Sequence, residues 1–420
     1  MSNTLLTVDF ITRKAVSMFV NSNAFLQTID RRYEKDYGQD FKIGGTLRIR
    51  LPVDYTVGVG QSVSPQATVE QYTTLTVGTQ NNVPLSFSSA DYALSIDDFT
   101  DRFLAKAVND LAATVAANIM SMVDCGNTDI GAVIGIPNFV SNVDGSGDII
   151  SPIQSTWLKA GAKLDKLSAD RMNRTSVLSP DTQANTVASF AGLFNPTTMV
   201  SEQYKTGSMG GMMAFGIRDW RLDQTVLAHT TGTGTGMEID GGTQTGTTIT
   251  IKSLSGTLLA GDIITIGAGG PHVNSVNRLT KKSNNELAQF VITANVGNGG
   301  TTMHIYPAIT PPSGSNPVQY QTVTTSPADS AVITFVTKAS ETYYKNLVYK
   351  PEAFTMVTAD LPLPRSGVVK ASRANYDGVS LRMIEGYQVL DDLFVTRLDI
   401  LYGATTPKPD WCVIVADAVL

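Results

Sequence analysis

The chain has 420 residues, of which 42% are hydrophobic and 16% are charged, and its formal net charge is −6. This length is enough for two or more domains with a sizeable core. The negative charge argues against strong general binding of nucleic acid, which depends on Lys and Arg displacing counterions. Two cysteines cannot make a disulfide framework, so we expect Cys125 and Cys412 to be buried thiols in a reducing compartment.

Neither a signal peptide nor a membrane span is expected. Asp9, Arg13 and Lys14 interrupt any apolar stretch near the N-terminus. The sequence has no run of about 18 apolar residues, the length that a membrane-spanning helix needs. We therefore expect the protein to be made in a cytoplasm-like setting.

The first predicted element is a short amphipathic helix over residues 7–20. Its apolar side chains recur at helical spacing: Val8, Ile11, Ala15, Met18 and Phe19. The charged run from Asp30 to Asp36 then predicts a turn or an exposed arm.

A long β-hairpin is predicted next. Apolar residues occupy the odd positions from Phe41 to Tyr55, and basic residues occupy even ones. This strict alternation is typical of a strand with one buried face. The return path is predicted over Val69–Val77 and on to Phe87, after a Gly- and Ser-rich tip at Gly58–Gln66. A strand of that length, at about 3.3 Å per residue, reaches about 50 Å.

Such a hairpin is too long for its own domain to cover, because a domain of about 100 residues has a radius of gyration of about 13 Å. Two explanations stay open. Either the apolar face of the hairpin lies across a neighbouring subunit, or part of the segment is a loop instead of a strand.

A long helix is predicted from Ser95 to about Val123. Ser95 suits the N-cap, the acidic pair Asp97–Asp98 suits the first turn, and Gly126 suits the end. One face carries a continuous apolar stripe: Phe99, Phe103, Ala107, Leu111, Val115, Ile119 and Met122. At about 1.5 Å per residue the helix would be about 42 Å long, and we expect a sheet to pack against it.

Mixed helix and strand patterns lie on both sides of a central block. Before it, two helices and two strands are predicted: Ile153–Leu167, Pro180–Phe190, Thr175–Leu178 and Met213–Ile217. After it, four strands are predicted: Ala353–Val357, Val379–Ile384, Gln388–Tyr402 and Trp411–Val415.

The central block, residues 225–342, differs in composition from the rest of the chain. Its 118 residues hold 15 of the 36 glycines, and no aromatic residue occurs between Arg221 and Gln289. Six β-rich runs recur between Gly, Asn and Pro: Thr247–Leu254, Asp262–Ile266, Gln289–Asn295, Thr302–Tyr306, Val318–Thr324 and Ala331–Thr337. Short strands at this spacing predict a small barrel or sandwich inserted into another domain.

The sequence contains no recognisable catalytic or metal-binding constellation. Three histidines lie apart and match no metal-ligand pattern: His229, His272 and His304. Gly232–Gly236 resembles a nucleotide-binding loop but joins no strand to a helix, so we expect a flexible linker. The pairs Asp97–Asp98 and Asp391–Asp392 are expected at a helix start and in a turn, since adjacent helical residues do not face each other.

A charged cluster occurs in the central block. Its members are Arg278, Lys281, Lys282 and Glu286. Either this cluster is a solvated loop, or it forms ion pairs with another subunit. Both interpretations stay open from the sequence.

The order of these parts resembles that of the major coat proteins of tailed DNA bacteriophages, which have the Hong Kong 97-like capsid fold. The inserted β-domain resembles the P-twenty-two-type branch of that family. By architecture the resemblance covers nearly the whole chain. By sequence it is most specific in two regions, Gly261–Gly267 followed by Asn285–Ile292 and Ile305–Pro307, and then Leu398–Pro409 near the C-terminus.

The resemblance implies an α+β fold of six parts. These are an N-terminal arm (1–40), an extended β-hairpin (41–90), the spine helix of a peripheral domain (91–125), the first part of an axial domain (126–222), an inserted β-barrel (223–342), and the second part of the axial and peripheral domains (343–420).

The resemblance also implies a capsid subunit with no enzymatic activity and no cofactor. Such subunits assemble as pentamers and hexamers into an icosahedral shell that encloses double-stranded DNA. The implied partners are a scaffolding protein, a portal, and packaged DNA that touches the inner face without sequence-specific binding; no membrane is implied. The implied location is the virion capsid, assembled in the host cytoplasm.

On this interpretation the candidate intersubunit contacts lie in the hairpin and in the charged cluster: Arg48, Arg50, Gln61, Ser62, Gln66, Arg278, Lys281, Lys282 and Glu286. The alternative is a β-rich phage tail or surface adhesion protein. The Thr- and Gly-rich block and the low charge favour that class, but it does not account for the long helix.

Overall fold

The fold is described from a computed structural model, which covers residues 8–32, 46–57, 61, 67, 69–88, 104–125, 135–142, 153–190, 217–267, 270–314, 316–364, 369–388 and 393–418. Within these residues the fold is mixed α+β and rich in strands. Its helices are α1 (Val8–Ser22), α2 (Ala105–Met120), α3 (Ile153–Lys166) and α4 (Pro180–Phe190). Short 3-10 helices lie at Ser121–Asp124, Pro351–Ala353 and Pro409–Trp411.

The strands in chain order are β1 (Thr46–Arg50), β2 (Tyr72–Thr76), β3 (Thr79–Ser88), β4 (Phe139–Ser141), β5 (Arg174–Leu178), β6 (Ile217–Leu222), β7 (Ala228–Thr230), β8 (Glu238–Ile239), β9 (Gly246–Lys252), β10 (Ile263–Ile266), β11 (Asn274–Val276), β12 (Ser283–Leu287), β13 (Gln289–Ile292), β14 (Thr302–Ile309), β15 (Ile333–Phe335), β16 (Thr342–Tyr349), β17 (Thr355–Thr358), β18 (Val369–Tyr376), β19 (Val379–Gln388), β20 (Leu393–Thr405) and β21 (Cys412–Ala418).

The first sheet is antiparallel and is built around the long strand β20. Its order is β17-β20-β19-β18, and β3 also pairs with β20. Helices α1 and α2 pack on this sheet, and buried side chains from all three form one core that includes Phe19, Val115 and Ile400. A sheet therefore covers the long helix, as the apolar stripe predicts.

Helix α2 confirms the stripe over the residues that the structure describes. All five stripe residues in this range are buried: Ala107, Leu111, Val115, Ile119 and Met122. The α-helix ends at Met120, and a 3-10 turn carries the chain to Cys125, which has a left-handed φ of 55°. The predicted cap at Ser95, the residues up to Phe103, and Gly126 lie outside the described residues.

The second sheet is mixed, with the order β4-β21-β16-β5-β6, and β7 also pairs with β16. Pairs β4–β21 and β5–β6 are parallel, whereas β16 runs antiparallel to its neighbours. Helix α3 packs against β21 through the fully buried Trp157. Helix α4 starts as predicted, because Ser179 Oγ accepts a hydrogen bond from the backbone N–H of Thr182 at 3.2 Å and Pro180 occupies the first turn.

The central block folds mainly into a six-stranded sheet with the order β15-β10-β13-β14-β9-β8. The two outer strands of this sheet also meet: Ile239 N donates to Ala331 O at 3.0 Å, and Ile333 N donates to Met237 O at 2.9 Å. Its interior is a separate apolar core that includes Ile264, Phe290 and Met303. Strands β7 and β16, which pair antiparallel, stand at the two ends of the block.

The structure corrects the predicted hairpin. The strand predicted over Phe41–Tyr55 ends at Arg50, and residues 51–57 form no regular secondary structure; residues 41–45 lie outside the described part. The apolar residues of β3 do not return along the hairpin, because β3 pairs with β20 over residues 79–88 and 393–402. An alternating pattern shows that a strand has one buried face, but it does not identify the neighbouring strand.

Three smaller predictions also change. The run Val318–Thr324 forms no strand, and within it Val323 makes only an isolated bridge to Ser275. The strand predicted over Met213–Ile217 is described only from Ile217 onward, as β6. Strand β20 begins at Leu393 and not at Gln388, which instead ends β19.

Candidate intersubunit surfaces

The base of the hairpin is anchored in its own subunit. Strands β1 and β2 pair antiparallel, with Thr46 opposite Thr76 and Arg50 opposite Tyr72. Their buried residues Ile49, Leu75 and Val77 pack against three residues that follow the central block: Val357, Leu361 and Leu401. The backbone of β20 approaches β2 closely at Gly403, where a Cβ would lie only 2.1 Å from Thr76 O. This approach is possible because glycine has no Cβ. The first part of the apolar face is therefore covered within the chain.

The outer part of the hairpin exposes apolar side chains. We call residues 46–57 and 69–76, with the residues between them, the hairpin arm. Large fractions of four side chains are exposed there: Tyr55 57%, Val57 87%, Val69 53% and Tyr72 55%. Exposed apolar residues grouped on one element mark a surface that another protein can cover.

Two candidate residues of the hairpin arm, Arg48 and Arg50, lie in β1. The guanidinium of Arg48 stacks on the Tyr72 ring at 4.9 Å, which presents a cation beside an exposed aromatic ring. Arg50 is 3.8 Å from Glu70, and both side chains are largely exposed. Gln61 is exposed, whereas Ser62 and Gln66 lie outside the described residues.

The charged cluster of the central block faces other parts of the same chain. Arg278 Nε lies 3.0 Å from Asp54 Oδ2 in the hairpin arm, and its Nη1 lies 2.9 Å from Asp410 Oδ2. Lys281 Nζ lies 3.3 Å from the same Asp54 oxygen. Of the four candidates, three form ion pairs within the chain, since Glu286 also contacts Lys166, while Lys282 is exposed.

Sequence reasoning missed Asp54 and Asp410 as the partners of Arg278. Each is a single acidic residue, 224 and 132 positions away along the chain, and no local pattern distinguishes it. The interpretation of the cluster as a solvated loop is therefore wrong for Arg278 and Lys281, whose partners only the tertiary fold brings near.

The charges of Arg278, Asp54 and Asp410 shift the pKa values of Arg278 and Asp410. Burial raises the pKa of the Asp410 carboxyl, Arg278 lowers it, and Asp54 raises it again. For Arg278, burial lowers the pKa, but the attraction of Asp410 and Asp54 outweighs burial and leaves the pKa raised. The pair Arg278–Asp410 is therefore coupled, and the guanidinium stays charged at all ordinary pH values.

The histidines serve the structure of the central block. His229 Nε2 lies 3.0 Å from Asp262 Oδ1 and its Nδ1 lies 3.6 Å from Asp124 Oδ2, where the block meets the end of α2. His272 Nδ1 contacts Gly267 O at 2.9 Å, and His304 Nδ1 contacts Thr248 Oγ1 at 3.2 Å. Within the described ranges, no group of three or more His, Cys, Asp or Glu side chains is placed to hold a metal ion.

The remaining potentially reactive residues are the two cysteines and the two acidic pairs. Cys125 and Cys412 are both free and buried, and burial raises the pKa of the Cys125 thiol to about 12, so it is a poor nucleophile. The pairs Asp97–Asp98 and Asp391–Asp392 lie outside the described residues. Among the helices that the structure describes, none is both long and apolar enough to cross a membrane.

Comparison with known proteins decides the family. The sequence pattern of the family "P22 coat protein - gene protein 5" matches residues 49–414, which is most of the chain. The chain belongs to the P22 coat protein family. It is therefore the major capsid protein of a tailed bacteriophage and forms an icosahedral shell. Family membership decides for this function over the tail or surface adhesion alternative.

Solved phage structures are distantly similar to this coat protein. A structure from Mycobacterium phage Che8 has 11% identity and a TM-score of 0.45, and the match covers 94% of this chain and 90% of that chain. The capsid structure of cyanophage P-SCSP1u has 11% identity and a TM-score of 0.42, with 90% and 84% covered. The mature capsid of bacteriophage PhiM1 has 12% identity and a TM-score of 0.39, with 88% and 81% covered. No curated protein matches the sequence.

Proposed function

We propose that this coat protein joins its neighbours in the shell through the hairpin arm. The observation that carries the proposal is the contrast between the two parts of the arm. Its base is held by the buried residues Ile49 and Leu75, while Tyr55 and Val57 are 57% and 87% exposed further out. An arm that is rigid at its base and apolar further out is suited to lie on a second copy of the chain. Arg48 and Arg50 then supply charged contacts at its edge.

The other parts of the chain take the following roles in the proposal. Residues 91–125 form the spine helix of the peripheral domain, and residues 126–222 and 343–420 supply the axial domain and the rest of the peripheral domain. Residues 223–342 form an inserted barrel. The hydrogen bonds between β8 and β15, at opposite edges of the six-stranded sheet, support the barrel, as does its separate apolar core.

The proposed partners follow from assembly into a shell. Copies of the chain form pentamers and hexamers, a scaffolding protein and a portal take part in assembly in the host cytoplasm, and double-stranded DNA is packaged inside. The net charge of −6 supports contacts with DNA that are weak and independent of sequence. A shell subunit needs no catalytic site, and we propose no enzymatic activity.

The hairpin arm is tested by deleting its tip. Removal of Gly58–Gln66, with a short turn joining the ends, leaves the base of the arm and its buried contacts in place. The melting temperature of the monomer should therefore stay near that of the wild type. Closed shells should be lost or become irregular in sedimentation and electron microscopy, because each subunit repeats the lost contact.

Point variants separate the arm from general surface changes. Tyr55→Ser with Val57→Ser removes exposed apolar area that the monomer does not bury, so folding should be unchanged and assembly reduced. The matched control is Met172→Ser, which changes a 67% exposed residue outside the arm and should assemble normally. Normal closed shells from the tip deletion would show that the arm does not join subunits.

A further inference from the structure

We propose that Asp54, Arg278, Lys281 and Asp410 form a charge latch, which sets the direction of the hairpin arm against the inserted domain of the same subunit. Arg278 pairs with Asp54 of the arm at 3.0 Å and with Asp410 near the C-terminus at 2.9 Å. Lys281 adds a second cation to Asp54 at 3.3 Å. One turn of the inserted domain thus holds the arm and the second sheet together.

The turn that carries the two cations is ordered by its own hydrogen bonds. It connects β11 to β12, and Asn277 Oδ1 accepts the backbone N–H groups of Leu279 and Thr280 at 2.9 and 3.1 Å. The backbone of Asn277 also exchanges hydrogen bonds with Lys281 and Lys282, both at 2.8 Å. Because the backbone of the turn is held before the arm is bound, less conformational entropy is lost when the ion pairs form.

The latch is partly withdrawn from solvent, so breaking one of its ion pairs costs more than breaking an exposed pair. The exposed fractions of the side chains are 4% for Lys281, 19% for Asp54, 31% for Asp410 and 37% for Arg278. Fully exposed pairs contribute little to stability. Here the removal of the Asp54 charge would leave the nearly buried Lys281 without its ion-pair partner in the latch, which is unfavourable.

A hydrogen bond also joins the described part of the arm to the inserted domain. Tyr320 Oη donates a hydrogen bond to Val69 O at 2.6 Å. Beside the ion pairs lies a cavity of about 290 Å³, whose lining includes Asp54, Gln71, Arg278 and Asp410. An interface that encloses a cavity of this size lacks the close packing of a core.

The consequence is an arm whose direction depends on charge. The inference rests on the proposed function for its effect on shells, because the direction of the arm decides which surface of a neighbour it meets. The latch itself is a property of the monomer. Because its ion pairs are partly buried, salt screens them much less than it screens exposed charges.

Spin-label distances in the full-length monomer test the latch. Labels are placed at Val57→Cys on the arm and Val332→Cys on the inserted domain, both exposed, while the native Cys125 and Cys412 are buried. The wild type should give one narrow distance distribution at about 0.1 M salt, which should stay narrow at about 1 M because salt screens partly buried pairs much less than exposed ones. Arg278→Gln and the isosteric Asp54→Asn should lose the narrow peak at both salt concentrations.

Lys282→Gln removes an exposed charge from the same turn and should keep the narrow peak. A narrow peak in Asp54→Asn at low salt would overturn the latch, even if Arg278→Gln failed to fold. If Asp54→Asn loses the peak but builds normal shells, the latch stands and the proposed role of the arm fails. If the tip deletion abolishes shells while Asp54→Asn keeps the peak, the arm stands and the latch fails.

Discussion

At the scale of single residues, one glutamine joins the central block to the second sheet. Gln289 Oε1 accepts the backbone N–H of Phe139 at 2.9 Å, and Gln289 Nε2 donates to Phe139 O at 3.1 Å, so the side chain pairs with β4 like a neighbouring strand. Lys163 of α3 donates to the same carbonyl at 3.2 Å and also contacts Gln289 Oε1. Burial lowers the pKa of Lys163 to about 7, Glu286 opposes this shift, and Lys166 adds to it.

This lowered pKa predicts a dependence of stability on pH. In the unfolded chain the amine has its ordinary pKa of about 10.4, so between pH 7 and about 10 the unfolded state binds more protons. Stability should therefore rise with pH across that window, by at most about 1.4 kcal/mol per pH unit from this group. Below pH 7 both states are protonated and the contribution to the slope vanishes.

The measurement is the free energy of unfolding of the monomer in denaturant at pH 7 and pH 9. The wild type should gain more stability on going to pH 9 than Lys163→Met does. Lys159→Met, which replaces an exposed lysine one turn earlier in α3, is the control and should behave like the wild type. An equal pH dependence in Lys163→Met and the wild type would contradict the pKa assignment.

At the scale of elements, helix α2 is a buried support for the first sheet. Its apolar stripe, already evident from the sequence, is buried against α1 and the sheet, and Val115 at its centre is 0% exposed. Val115→Asp would place an unpaired carboxylate in that core, at a cost of several kcal/mol by order of magnitude. We expect insoluble, misfolded protein and not a folded monomer that fails to assemble.

Solubility and thermal melting distinguish these outcomes. Asn109→Asp adds the same charge to an exposed position of the same helix, near Lys106, and should leave a soluble protein with a normal melting temperature. A soluble Val115→Asp monomer that melts like the wild type would show that the stripe is not core.

At the scale of the whole molecule, the apolar interior is divided. The central block has its own core, whose members all lie between Met237 and Ile333. A few of its other residues, such as Ile263 and Val291, contribute to the main core instead. We therefore propose that the central block is a unit separable at the paired strands β7 and β16.

This division predicts that residues 223–342 fold alone. Circular dichroism of the isolated fragment should show β-sheet with a cooperative thermal transition, because the six strands and their core are complete within it. Ile264→Asp in the fragment, at a fully buried core position, should abolish the transition. A disordered or helical spectrum from the unmodified fragment would place the domain boundary elsewhere.

Local patterns in the sequence were enough to predict helices and strands whose recognition does not depend on knowing which element packs against them. The stripe of α2, the start of α4 at Pro180 and the strand run at Asp262–Ile266 each depend on spacing within about ten residues, and the structure contains all three. The composition of residues 225–342 likewise indicated a separate β-rich block. These features are readable because helix and strand periods appear directly in the order of residues.

Only the tertiary structure decided which elements meet. The alternation of Val83, Leu85 and Phe87 predicts a strand, but its pairing with β20 requires contact across more than 300 residues. Arg278 and Asp54 lie 224 positions apart in the sequence and become an ion pair because the arm and the central block fold against each other. A periodic pattern specifies one buried face, whereas the identity of the partner depends on long-range packing, which leaves no local signal.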